Sequence, residues 1–176
     1  LEKSITDRDL RVWSAGCSTG EEPFTLAMLI DEFFGKKRIW WDKRILATDI
    51  SGKVLDKAKK GIYANDELEG LSSSWKRNYF KKYDEEHYAI DERIIKEVIY
   101  RKFNLMDEVF PFKKKFNVIF CRNVMIYFDS DTKRKLVNKF YDNIERGGYL
   151  FIGHSESLSR DDTKFKYIMP AVYRKD

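Results

Sequence analysis

Cysteine and histidine are scarce in this sequence, with two of each among 176 residues. Cys17 and Cys121 are widely spaced in an otherwise ordinary globular composition, which argues against a disulfide scaffold. With His87 and His154 they show no compact ligand spacing, so no metal site is expected. No apolar run reaches the roughly 18 residues of a membrane-spanning helix, and no signal peptide opens the chain. Two motifs are also missing. Without GxGxxG the chain does not read as a nicotinamide-dependent oxidoreductase. Without GxxxxGK[ST] it does not read as a phosphate loop. The formal net charge is +5, yet Lys and Arg are spread along the chain with no Arg-rich arm, so nucleic acid is not an expected partner.

What is present suits one domain. Hydrophobic residues make up 43% of the chain, enough for a core of two or three layers. Arg11–Ala15 reads as a short buried strand. Pro23 suits a helix's first turn, and apolar residues at 24, 26, 27, 29, 30, 33 and 34 share one helix face that Gly35 ends. Lys43–Ile50 reads as a second strand, and Ser51 can cap a helix over 52–60. Leu68–Ser74 is turn-like, and the stretch from His87 to Asp107 suggests two or three short strands. "FNVIFCRN" (Phe116–Asn123) reads as a central strand buried on both faces. Asp129 or Ser130 can cap a helix over 131–144, Tyr149–Gly153 is a strand, and Ala171–Tyr173 reads as an edge strand. The polar start, Leu1 to Asp9, has the character of a cut within a longer protein.

Strand, loop, helix, strand is the signature of an open, mostly parallel α/β sheet with helices on both faces. Such sheets bind ligands outside the carboxyl ends of their strands, and those ends hold most of the unusual polar clusters. In Ala15–Glu22, Gly16 and Gly20 let backbone approach a ligand, and Ser18 and Thr19 offer hydroxyls and amides. Glu21 and Glu22 at the helix entrance would repel a diphosphate and favour an ammonium or sulfonium centre; their plain alternative is to complement the helix dipole. Asp49 suits ribose hydroxyls, or else caps the next helix, a task open to Ser51. Arg122 can hold a carboxylate in a bidentate pair or make a salt bridge. Asn123 can bridge a ligand with donor and acceptor. Tyr127 can line the pocket mouth or pack in the core. Asn104 can bond an adenine edge or cap a turn. "GHSES" (Gly153–Ser157) lacks the second glycine of a hydrolase nucleophile elbow.

"RVWSAGCSTGEEPFTLAM", "ILATDIS", "LDKAKKGIYA", "FNVIFCRNVMIYFD" and "GGYLFIGHSESL", in that order, closely resemble the chemotaxis receptor methyltransferases of the CheR type. The resemblance implies a three-layer, Rossmann-like α/β fold for S-adenosylmethionine-dependent methyl transfer. Its sheet is mostly parallel and seven-stranded, with an antiparallel last strand. Residues 1–176 would be the catalytic domain, and 79–103 an inserted β-subdomain. The implied activity is methyl transfer from S-adenosyl-L-methionine to glutamate side chains on the cytoplasmic coiled coil of chemoreceptors, leaving S-adenosyl-L-homocysteine. A receptor's C-terminal tether peptide is a further partner in some members. The alternative is a cofactor-binding sensory or docking module. By motif, Ala15, Ser18, Thr19 and Glu22 become cofactor contacts, with Glu22 facing the methionine end. Asp49 takes the ribose, and Asn104 and Leu105 the adenine. Arg122 and Asn123 flank cofactor and substrate carboxylate, and Arg122 and Tyr127 are the candidate catalytic residues. The family's Thr-x-Phe-Phe-Arg linker motif does not precede Arg11, so its N-terminal helical domain is not expected in this chain. A cytoplasmic monomer is the expected form.

Overall fold

The computed structural model describes residues 5, 7–35, 40–159 and 163–176. A seven-stranded sheet runs in the order β6-β2-β1-β7-β8-β10-β9. Its strands are β1 (Val12–Ala15), β2 (Ile45–Asp49), β6 (Val98–Lys102), β7 (Phe116–Cys121), β8 (Ile144–Ile152), β9 (Lys166–Met169) and β10 (Val172–Arg174). From β6 across to β8 neighbouring strands are parallel, whereas β10 lies antiparallel to both β8 and β9. The mostly parallel sheet with an antiparallel last strand is therefore as expected. The β7 strand is central, with β1 on one side and β8 on the other, which explains its nearly unbroken apolar run.

Alternation along β1 sends successive side chains to opposite faces. Val12 belongs to one buried cluster with Phe24, Met28, Ile45 and Leu55. Trp13 belongs to the other, with Phe110, Leu136, Phe140 and Leu150. Helices α1 (Glu21–Phe34) and α2 (Gly52–Lys60) feed the first cluster, and α5 (Ser130–Asn143) the second. Asp129 is the N-cap of α5, its Oδ1 accepting from Thr132 N at 2.8 Å. Such a cap satisfies an amide that the helix leaves unpaired.

The expected β-insertion at 79–103 overlaps a small antiparallel sheet whose strands do not share its bounds. The small antiparallel sheet is β3-β5-β4, built from Ile62–Ala64, His87–Ile90 and Phe80–Lys82. Val98–Lys102 instead pairs with β2, from Ile45↔Val98 to Asp49↔Lys102, and edges the large sheet. Short strands gain their identity from partners far along the chain, and those partners leave no mark on local periodicity. A helix, α3 (Ser73–Tyr79), follows where a turn was read. Ser72 Oγ caps it by accepting from Trp75 N at 3.2 Å. A one-turn helix, α4 (Glu92–Ile95), separates β5 from β6. The expected edge strand near Ala171–Tyr173 is β10, which lies inside the sheet. The edge is β9, exposed along its whole length, so it carries no alternation of polar and apolar residues to read.

Candidate functional site

The loop after β1, the start of α1 and the carboxyl end of β7 enclose a crevice of about 450 Å³, within the range of small-molecule sites. Gly16, Ser18, Glu22, Phe120, Arg122 and Asn123 are among the residues that line it. A larger groove of about 800 Å³, on the sheet face beside α1, is lined by aliphatic and aromatic side chains. Among the described residues its lining carries no charged group to orient a polar ligand, so the strand-end crevice is the candidate site.

The exit from β1 answers why the loop is built of small residues. Gly16, Ser18 and Gly20 all take positive φ, at 85°, 49° and 100°. At Gly16 a Cβ would stand 2.5 Å from Val124 Cγ2, so only glycine lets the β1 loop meet the β7 loop. Gly16 N and Cys17 N both donate to Thr48 O, at 2.8 and 2.9 Å, which ties the loop to the end of β2. Asp49, next along, accepts from Ser18 N through Oδ2 at 3.0 Å and from Ser51 N through Oδ1 at 2.9 Å. Its carboxylate thus fixes the loop and retains lone pairs for further donors.

Glu22 sits in the first turn of α1. Ser14 Oγ donates to its Oε1 at 2.7 Å, and Arg122 Nη1 lies 3.4 Å from its Oε2. Burial pushes the Glu22 carboxyl above its ordinary 4.5, against the opposing pull of Ser14 and Arg122. A carboxylate raised in this way gives a pH signature. On its own account, the raised value adds stability below the unfolded value, and that stability is lost as pH rises through the folded one. Binding of a cationic ligand runs the other way, because only the ionised form attracts it. For the S-adenosyl-L-methionine that the resemblance implies, affinity is expected to fall as pH drops through the raised Glu22 value. Glu22→Gln should bind more weakly at pH 7.5 and show a flattened profile; an unchanged pH profile in calorimetric titrations would refute the role.

The structure gathers some of the sequence-derived residues and not others. Ser18, Glu22, Arg122 and Asn123 share the crevice wall, and Asp49 joins them through Ser18. Phe103 N donates to Asp49 O at 3.0 Å, which sets Asn104 just past the end of β2. Asn104 Oδ1 accepts from Met106 N at 3.0 Å, so this side chain holds its own turn. Leu105 is buried. Its carbonyl accepts from Lys139 Nζ at 2.7 Å. Ala15 is buried in β1. Thr19 Oγ1 donates to Glu21 Oε1, and its carbonyl accepts from Tyr63 Oη. Tyr127 is 81% exposed in a turn of 3-10 helix and does not line the crevice. The core alternative for Tyr127 fails as well.

Two participants were not singled out from sequence. Ser14, fully buried in β1, holds Glu22; a small polar residue inside "VWSA" was its one signal. Glu156 accepts from two backbone amides, Gly153 N at 2.6 Å and Asn123 N at 3.2 Å. Nothing local in "GHSES" points to the second of these.

Residues 1–173 match the family model described as CheR methyltransferase, SAM binding domain. A chemotaxis protein methyltransferase of Borreliella burgdorferi is 47% identical over 168 residues, covering 96% of this chain and 59% of that protein. One from Escherichia coli is 35% identical over 168 residues, covering 94% of this chain and 58% of that protein. The chain thus spans about three-fifths of the length of these relatives. Among solved structures, the glycopeptide N-methyltransferase MtfA complexed with S-adenosyl-L-homocysteine superimposes with a TM-score of 0.50 at 13% identity, covering 86% of this chain and 44% of that one. The [4+2]-cyclase SpnF gives the same score and identity, covering 86% and 40%. A methyltransferase and a cyclase on one fold show that these likenesses speak for architecture alone.

Proposed function

The chain belongs to the CheR methyltransferase family, as its S-adenosyl-L-methionine-binding domain, and on that premise we propose that it methylates glutamate side-chain carboxylates of chemoreceptors. The observation that carries the reading is the meeting of Glu22 and Arg122 on the wall of one crevice, with Asp49 tied to that wall through Ser18 N. The donor set fits the cofactor. Glu22 supplies negative charge for an amino group and a sulfonium, and Asp49 supplies acceptors for ribose hydroxyls. The bare Cα of Gly16, packed against Val124, keeps the loop backbone close to the crevice that a ligand would fill.

When bound, the cofactor would supply an electrophilic methyl group for in-line displacement by a carboxylate oxygen. A substrate glutamate is already ionised at neutral pH, its reference pKa being about 4.3, so the chain needs no strong general base. Its residues work by alignment and exclusion of water. Arg122 orients the incoming carboxylate. Its guanidinium is shared with Glu22, which keeps it from binding the nucleophile so tightly that reactivity is lost. Asn123 offers its side-chain amide on the same wall, and Tyr127 stands on the outer surface, where it can meet a protein substrate.

The reading implies a cytoplasmic reaction with the receptor coiled coil and, in the small β3-β5-β4 sheet, a place for a receptor tether. No described helix is long and apolar enough to cross a membrane. The test is to incubate the chain with S-adenosyl-L-methionine labelled on the methyl group and a receptor cytoplasmic fragment. Alkali-labile, methanol-releasing label on the receptor is the expected result. The alternative reading is a cofactor-binding module that does not transfer. Saturable cofactor binding with no alkali-labile label would decide for it.

A further inference from the structure

We infer that Glu156 is the residue that positions Asn123, and with it Arg122, on the crevice wall. The inference rests on reading that crevice as the cofactor site. Asn123 adopts φ 58°, a left-handed conformation that a non-glycine residue holds only when its surroundings fix it. Those surroundings are specific. Glu156 lies in the tight turn after β8, closed by its own N donating to Gly153 O at 3.0 Å. Its Oε2 then accepts from Gly153 N at 2.6 Å and from Asn123 N at 3.2 Å, linking the ends of β8 and β7.

Gly153 shows how tightly the corner is built. A Cβ there would lie 2.5 Å from Asn123 Oδ1, 2.8 Å from Glu156 Oε2 and 3.0 Å from Asn123 N. On the other side, Val124 is pressed against the bare Cα of Gly16. The 122–124 turn is therefore clamped between two glycine loops. Two carboxylates hold its successive residues: Glu22 takes the Arg122 side chain and Glu156 takes the Asn123 amide.

The chemistry of Glu156 supports this role over generic turn stabilisation. Its Oε1 is buried and accepts no hydrogen bond among the described residues. A buried carboxylate oxygen without a partner is costly, and a hydroxyl or amide would close the Gly153 turn with less desolvation. What the carboxylate adds is a second, charge-assisted bond to a strand end 33 residues away in sequence.

Glu156→Gln, nearly isosteric, tests the assignment in two ways on the whole chain. Without ligand, hydrogen exchange at 122–124 should quicken several-fold while α1 and the small sheet are unchanged. In calorimetry with S-adenosyl-L-homocysteine, the variant should bind about tenfold more weakly. In an Asn123→Ala background the same substitution should cost less than it does in the parent chain, because part of its effect runs through the Asn123 side chain. Glu156→Asp, which keeps the charge but withdraws the carboxylate, should quicken the same amides and decides the question if Glu156→Gln does not fold. Unchanged exchange at 122–124, or additive losses in the cycle, overturns the inference. If the unmodified chain does not bind S-adenosyl-L-homocysteine, the cofactor reading falls, and exchange at 122–124 still decides what Glu156 holds.

Discussion

Replacing Asp49 with alanine is expected to weaken S-adenosyl-L-homocysteine binding by about 100-fold in a chain that remains folded. The carboxylate has two tasks. It accepts from Ser18 N and Ser51 N, at 3.0 and 2.9 Å, and so holds the Ser18 backbone at φ 49°. It also presents the acceptors proposed for the ribose. Hydrogen bonds to a charged group contribute about 1.5–3 kcal/mol each, and about 1.4 kcal/mol is a factor of ten in affinity. Loss of the ribose acceptors together with a loosened loop therefore amounts to about two decades. Asp49→Asn keeps one acceptor oxygen and should fall between the two. Calorimetry at fixed pH and salt measures this directly, with circular dichroism to show the fold intact. An alanine variant within about threefold of the parent would remove Asp49 from the site.

The largest loss of stability is expected at Trp13. It is 0% exposed, with ring centroids of Phe103, Phe110, Phe112, Phe116 and Phe140 at 4.8–5.7 Å. Four of the five contacts are edge-on, the arrangement aromatic quadrupoles favour. Its Nε1 donates to Thr48 Oγ1 at 2.9 Å, so even its polar atom is satisfied. Trp13→Ala should cost about 3–5 kcal/mol, the range for truncating a large buried aromatic. For a domain of ordinary stability that is a large part of the total. Thr48→Val tests the polar contact separately: the indole N–H is left buried without a partner, at about 1–3 kcal/mol. Urea denaturation gives both numbers. A shift below about 1 kcal/mol for Trp13→Ala would mean that the aromatic cluster is not the centre of that core.

Both residues lie on neighbouring strands at the crevice end of the sheet, Asp49 tied to its wall through Ser18 N, and that neighbourhood is partly legible in the sequence. "FNVIFCRN" declares a central strand because burial on both faces leaves no polar alternation. The β1 exit declares a ligand loop because glycines stand where a positive φ is needed, followed by carboxylates at a helix start. Asp49 is legible as a strand-end acid for the same reason: each signal is a contrast between neighbours along the chain.

Other features depend on partners that the chain brings in from a distance. Val98–Lys102 joins the large sheet because β2 offers an open edge, and Ile62–Ala64 joins the small one because His87–Ile90 does. Neither pairing is encoded in the strand itself. β9, whose four residues are all on the exposed side, shows no alternation of buried and exposed positions. Tyr127 sits four residues past Asn123, a spacing that suggests a shared wall, yet the 3-10 turn over Met125–Tyr127 buries Met125 and turns the tyrosine outward. The α/β fold class, the glycine loop and the acidic helix entrance can all be read along the chain, because composition and spacing express local physics. Tertiary structure alone decided that Ser14 holds Glu22, that Glu22 meets Arg122 across 100 residues and that Glu156 meets Asn123 across 33. Such bonds depend on where strand ends meet, and only the packed sheet sets that.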